Sequence, residues 1–92
     1  MKKQLHISIG GKVTNVFFRE FAKQHANKLG ITGWAKNTKQ GKLEIIVQGE
    51  QKPIDAFISA CRRGPMGANV LSLDIKEEPL EEEFDYFDIR PT

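Results

Sequence analysis

Arg19 closes a glycine-bearing stretch, Gly10-Gly11-Lys12-Val13-Thr14-Asn15-Val16-Phe17-Phe18-Arg19, that reads as a strand end, a loop and a helix start. A helix start exposes about four unpaired N–H groups and the positive end of the helix dipole. A loop curling over that terminus aims further amide hydrogens at one point, which makes a cradle for an anion. A guanidinium reaching back from the first turn could clamp a phosphate held there through two parallel hydrogen bonds. The spacing is neither GxxxxGK[ST] nor GxGxxG, so a Walker loop and a dinucleotide fingerprint are excluded. The pattern also fits a solvated arginine beside an ordinary strand–helix junction, and the residues alone leave both readings open. Asn37 is the second candidate. It is either a turn asparagine capping local backbone or a carboxamide that donates to and accepts from a water molecule.

No other residue type offers chemistry of its own. Cys61 falls on an apolar helical stripe and is expected to be a buried, inert thiol. As the single cysteine it forms no internal disulfide, and no Cys/His spacing suits zinc. His6 faces outward from a strand and His25 sits at the inner edge of a helix, neither with a triad or metal signal. Without an evident nucleophile, general base, metal or cofactor, an enzyme built from this chain must work by positioning and electrostatics.

The elements that would position these residues are legible from periodicity. Leu5, Ile7 and Ile9 alternate with His6 and Ser8 in a half-buried strand ended by Gly10-Gly11. Phe18, Phe21, Ala22, His25, Ala26 and Leu29 mark one face of an amphipathic helix that Gly30 stops. Ile31–Asn37 reads as a second strand, with Gly33 leaving room for a neighbour. After the turn Asn37–Gly41, Leu43, Ile45 and Val47 form a third strand. Pro53 suits the first turn of a second helix whose stripe is Ile54, Phe57, Ile58 and Cys61. Val70–Ile75 is a fourth strand and Phe84–Arg90 a short fifth. The acidic stretch Glu77–Glu83 is expected to be a solvated connection between them, and Trp34 and the phenylalanines are expected in the core. The order βαββαβ plus a terminal strand is solved economically by an α+β, ferredoxin-like split βαβ sandwich: an antiparallel sheet with two helices on one face.

Composition bounds the class. Ninety-two residues, 39% hydrophobic and 28% charged, suit one small globular domain over 1–92. No apolar run approaches the roughly 20 residues of a membrane span, and no signal-peptide core follows Met1-Lys2-Lys3, so a cytoplasmic domain is expected. The net charge of +2 divides into +8 over residues 1–73 and −6 over residues 74–92. A basic body could steer a small anion or a nucleic-acid backbone, or could simply be solvated.

Taken together, the segments resemble the acylphosphatase family. Gly11–Arg19 resembles its G-[RK]-V-Q-G-V-x-[FY]-R loop, and Leu29–Asn37 its L-G-[LIV]-x-G-W-[VA]-[RK]-N segment. Gly41-Lys42-Leu43-Glu44 matches its D-G-x-[LV]-E turn, with Gln40 in the place of aspartate. Gly64–Val70 resembles G-P-x-x-A-x-V, and Phe84–Arg90 the closing F-x-I strand. The resemblance spans nearly all of residues 5–90 and implies a ferredoxin-like fold.

It also implies a hydrolase of carboxyl–phosphate anhydrides that needs neither metal, cofactor nor phosphoenzyme. Carried over residue by residue, Arg19 becomes the phosphate-binding catalytic arginine and Asn37 the residue that orients the attacking water. The backbone amides of Lys12, Val13, Thr14, Asn15, Val16 and Phe17 would grip the phosphoryl oxygens. The partner implied is a small acyl phosphate or inorganic phosphate, bound by a monomer, with no nucleic acid and no membrane. Two loop positions depart from the pattern: Thr14 stands where glutamine is usual and Asn15 where glycine is usual. If that glycine serves a left-handed backbone, asparagine is its best L-residue substitute; alternatively Thr14 or Asn15 caps the helix.

Two rivals follow. A degenerate member would keep the scaffold as an anion-binding or protein-interaction module. An RNA-recognition domain shares the element order, but its aromatic stacking residues are missing from Leu5–Ile9 and Leu43–Val47.

Overall fold

The computed structural model describes residues 1–91. Strand β1 (Lys3–Lys12) leads into helix α1 (Phe18–Leu29) and strand β2 (Thr32–Asn37), followed by β3 (Leu43–Gly49), helix α2 (Gln51–Arg63), β4 (Asn69–Glu78) and β5 (Phe87–Arg90). One five-stranded sheet forms in the order β4-β1-β3-β2-β5. The two central strands, β1 and β3, carry Leu5, Ile7 and Ile9 opposite Val47, Ile45 and Leu43. These side chains, all buried, meet Phe18, Ala22 and Ala26 of α1 and Ile54, Phe57 and Cys61 of α2 in one core. Both helices therefore cover the same face, as two apolar stripes over a single sheet require.

The expected antiparallel arrangement holds for the pairings among β1 to β4. It fails at the end of the chain, where β5 runs parallel to β2, with Ala35 opposite Ile89, so the sheet is mixed. The reason is the path of the connection. β4 and β5 lie at opposite edges of the sheet, and residues 79–86 travel from one edge to the other before β5 begins. This also shortens the last strand to Phe87–Arg90, from the Phe84 start that its composition suggested. Glu77 and Glu78 are not linker at all, but complete β4.

Gln48 fixes that crossing. It lies on the face of β3 opposite the helices, yet is only 1% exposed. Its Nε2 donates to Gln4 Oε1 at 2.7 Å and to the Glu82 carbonyl, while its Oε1 accepts from the Phe84 amide at 2.9 Å. A buried amide with its groups satisfied in this way holds an otherwise charged, exposed segment against the sheet. Nothing in the period-2 pattern of β3 distinguished Gln48 from a solvent-facing polar residue.

Trp34 corrects another expectation. It is half-buried on the helix-free face, where the Arg90 guanidinium lies 4.6 Å from its ring centroid and the Lys36 ammonium 5.7 Å. Alternation forces this, because the flanking Gly33 and Ala35 point into the core. Gly33 has φ 141°, and a Cβ there would run into the Ile46 carbonyl, so the close approach of β2 to β3 demands glycine. Phe17 is likewise outside the core, whereas Phe18, Phe57 and Phe87 are fully buried.

Gln48→Ala should lower the unfolding free energy by about 2–3 kcal/mol, since it strands the Phe84 amide and the Glu82 carbonyl. Urea unfolding followed by Trp34 fluorescence measures this.

Candidate active site

The site is assembled where β1, α1 and β2 end near one another. β1 carries a bulge between Gly10 and Gly11, and Gly11 adopts φ 120°. A Cβ on Gly11 would collide with the Asn69 carbonyl, so glycine is required where β1 bulges and continues along β4. Val13 then drops into the core at 1% exposure, and Val16 packs against it. Between and after these anchors the backbone twice enters the left-handed region, with φ 58° at both Asn15 and Phe17. For an L residue this costs about 1–2 kcal/mol, less for asparagine than for most.

Of the two alternatives for Asn15, the left-handed backbone is the one present, with asparagine adopting it. The capping alternative is not realised. Phe17 occupies the N-cap of α1, and no side chain of Thr14 or Asn15 bonds to the helix end. The first helical bond runs from the Phe21 amide to the Phe17 carbonyl at 3.0 Å. Among the described residues, no protein acceptor takes a hydrogen bond from the amides of Thr14, Asn15, Val16 or Phe17. A left-handed residue between right-handed or extended neighbours turns successive N–H groups toward a common centre, and the dipole of α1 adds positive potential there.

Arg19 follows on the first turn of α1. Its Nη1 donates to the Arg90 carbonyl at 3.0 Å. The terminal strand thus holds the guanidinium from outside, and that strand is itself anchored by the Arg90 side chain over Trp34.

Asn37 approaches from the other side. It is the last residue of β2, paired with Leu43, and shares the helix-facing side of the strand with Gly33 and Ala35. The turn beyond it is braced by Thr38 N–H to the Lys42 carbonyl at 2.8 Å and Gly41 N–H to the Thr38 carbonyl at 3.1 Å. Asn37 Oδ1 is buried and, among the described residues, has no hydrogen-bond partner. A buried carboxamide oxygen without a partner is unusual and marks a position from which a bound group can donate.

A cleft of about 270 Å³ joins these features, lined by Val13, Asn15, Phe17, Phe18, Arg19, Glu20 and Asn37. Arg19 and Asn37, separated by 18 positions in sequence, therefore face one space. Of the six residues expected to offer amides, Val13, Asn15 and Phe17 line it. Lys12 is exposed at the end of β1, and Thr14 and Val16 are half-buried without contributing side chains to the lining. Glu20 was not singled out from sequence. The available signal was an acidic residue in the first turn of a helix that carries an arginine.

The remaining candidates lie elsewhere. His6 is held between Glu44 Oε2 at 2.9 Å and Glu78 Oε2 at 3.6 Å on the helix-free face. His25 stacks on Phe21 with ring centroids 4.4 Å apart, and its pKa is lowered by burial and by Lys28 and Arg63. Burial pushes the Cys61 thiol up to about 12, which leaves it protonated and unreactive.

The sequence model of the acylphosphatase family matches residues 5–89, from within β1 to within β5. The chain belongs to the acylphosphatase family. It is 38% identical to an acylphosphatase of Methylococcus capsulatus over 85 residues, which is 92% of each chain. The crystal structure of the acylphosphatase from Bacillus subtilis superposes with a TM-score of 0.93 at 30% identity, covering 98% of this chain and 99% of that one. The acylphosphatase from Coxiella burnetii gives 0.91 at 32%, covering 97% and 93%. The ferredoxin-like architecture expected from the element order is that of these acylphosphatases.

Replacing Asn15 by valine should destabilise the protein by about 1–2 kcal/mol, because a β-branched residue resists the left-handed region. Asn15→Gly should not. Paired urea titrations of the two variants measure the difference.

Proposed function

We propose that the protein hydrolyses the carboxyl–phosphate anhydride of small acyl phosphates, giving carboxylate and phosphate by direct attack of water on phosphorus. The observation that supports this is the shared cleft, lined by Arg19 and Asn37 together with the loop residues Val13, Asn15 and Phe17. The amides from Thr14 to Phe17 and the Arg19 guanidinium bind the non-bridging phosphoryl oxygens. They act where charge is spread in the transition state, and no reorganisation is needed at that moment. Asn37 Oδ1 accepts a hydrogen bond from the attacking water and so directs its lone pair toward phosphorus.

An acyl phosphate already carries a good leaving group, so the protein supplies no covalent intermediate and no metal. The proton released by water passes to a phosphoryl oxygen of the substrate, which becomes inorganic phosphate. The bond that breaks is phosphorus to bridging oxygen, and its electron pair leaves with the carboxylate.

The whole apparatus lies within a single domain, which we propose acts as a cytoplasmic monomer on small molecules, without membrane or nucleic-acid partners. No helix among the described residues is long and apolar enough to cross a membrane. The helix-free face carries carboxylates that oppose a phosphate backbone, which supports the absence of a nucleic-acid partner. It presents Glu44 and Glu78 around His6 and is crossed by the acidic segment that Gln48 holds.

Purified protein should hydrolyse benzoyl phosphate. Arg19→Ala and Asn37→Ala should each lower kcat/KM by about 100- to 1,000-fold with the fold intact by circular dichroism. Reaction in ¹⁸O-labelled water should place the label in phosphate rather than in benzoate. An inert wild type, variants as active as wild type, or label in the carboxylate would overturn the proposal.

A further inference from the structure

Seven residues line the cleft, and they divide by burial. Val13 and Phe18 form a closed apolar floor, each 1% exposed. Arg19 and Asn37 are half-buried polar walls, and Asn15, Phe17 and Glu20 are the exposed rim. Phe17 is unusual among these in two independent ways. Its ring is 79% exposed, although the chain buries Phe18, the next residue, completely. It also occupies the left-handed region at the N-cap of α1, a conformation that glycine or asparagine adopts at less cost and that aromatic residues rarely take. The backbone geometry accounts for a left-handed residue at this position but gives no reason for a ring.

A reason follows from the direction of the reaction. In-line displacement places the leaving group opposite the attacking water. With water held at Asn37 and the phosphoryl group in the amide cradle, the acyl group leaves the cleft over its rim. The apolar side chain it can meet there is Phe17. The charged one is Glu20, which disfavours an acyl group bearing its own negative charge.

We propose that Phe17 is a specificity-determining residue whose exposed ring forms a ledge for apolar, and especially aromatic, acyl groups. The proposal rests on the hydrolase reading of the cleft. Phosphate recognition is the same for every acyl phosphate, so selectivity must come from contacts outside the cradle. Stacking on an already solvated ring at the rim provides such contacts without opening the core.

The test is the ratio of kcat/KM for benzoyl phosphate to that for acetyl phosphate, since any general damage to the loop cancels in it. Phe17→Asn keeps a residue that tolerates the left-handed backbone and removes the ring, and Phe17→Tyr restores a ring. The ratio should fall about five- to tenfold in Phe17→Asn and return to within about twofold of wild type in Phe17→Tyr. A ratio unchanged in Phe17→Asn, or not recovered in Phe17→Tyr, overturns the proposal while leaving the hydrolase reading standing. A wild type inert toward both substrates overturns the hydrolase reading and this proposal together.

Discussion

The loop between β1 and α1 changes hand twice, at Asn15 and at Phe17, and the rest of the site depends on that backbone being held. Left-handed residues are unfavourable in a free chain, so the surrounding structure must over-determine them. Here the restraint comes from both ends. The Gly10/Gly11 bulge redirects β1 against β4, and Val13, Val16 and Phe18 anchor the loop in the core on either side of the strained positions. The same twist that costs stability leaves four successive amides without acceptors among the described residues. An anion that accepts from them would recover part of that cost, which couples ligand binding to the rigidity of the loop.

The two side chains that complete the site are positioned by elements far apart in sequence. Asn37 is placed by the pairing of β2 with β3, which is rigid because glycine at position 33 lets the strands approach closely. Arg19 is placed by α1 and restrained by the Arg90 carbonyl at the opposite end of the chain. That restraint exists because residues 79–86 cross the sheet under the control of Gln48 and deliver β5 beside β2. A polar residue on the face away from the cleft therefore contributes to the orientation of the guanidinium.

Much of this was legible in the sequence, for physical reasons that can be stated. The helices and central strands bury one face each, and burial imposes a period, so α1, α2, β1 and β3 were readable from apolar spacing. The left-handed backbone at Asn15 was one of two alternatives, raised by the glycine that the family resemblance puts there, and the same geometry at Phe17 left no trace in residue type. Arg19 and Asn37 were singled out by type and position, with the family resemblance assigning their roles. The direction of β5 left no such trace. Four residues flanked by charge carry no period, and parallel pairing is set by the path of the connection rather than by the strand itself. Gln48 and Trp34 were missed because alternation indicates which face a residue occupies but not what covers that face. The exposure of Phe17 was hidden in the same way, since Phe17 and Phe18 are identical in type and only the helix start separates their fates.

The central claim is that backbone amides and one guanidinium grip a phosphate in the cleft beside Asn37. Titrating inorganic phosphate into ¹⁵N-labelled protein tests it most directly. Saturable shifts of the Thr14 to Phe17 amides, the Arg19 guanidinium and the Asn37 carboxamide are expected, abolished in Arg19→Ala. Shifts confined to other surfaces, or a loop that does not respond at saturating phosphate, would contradict it.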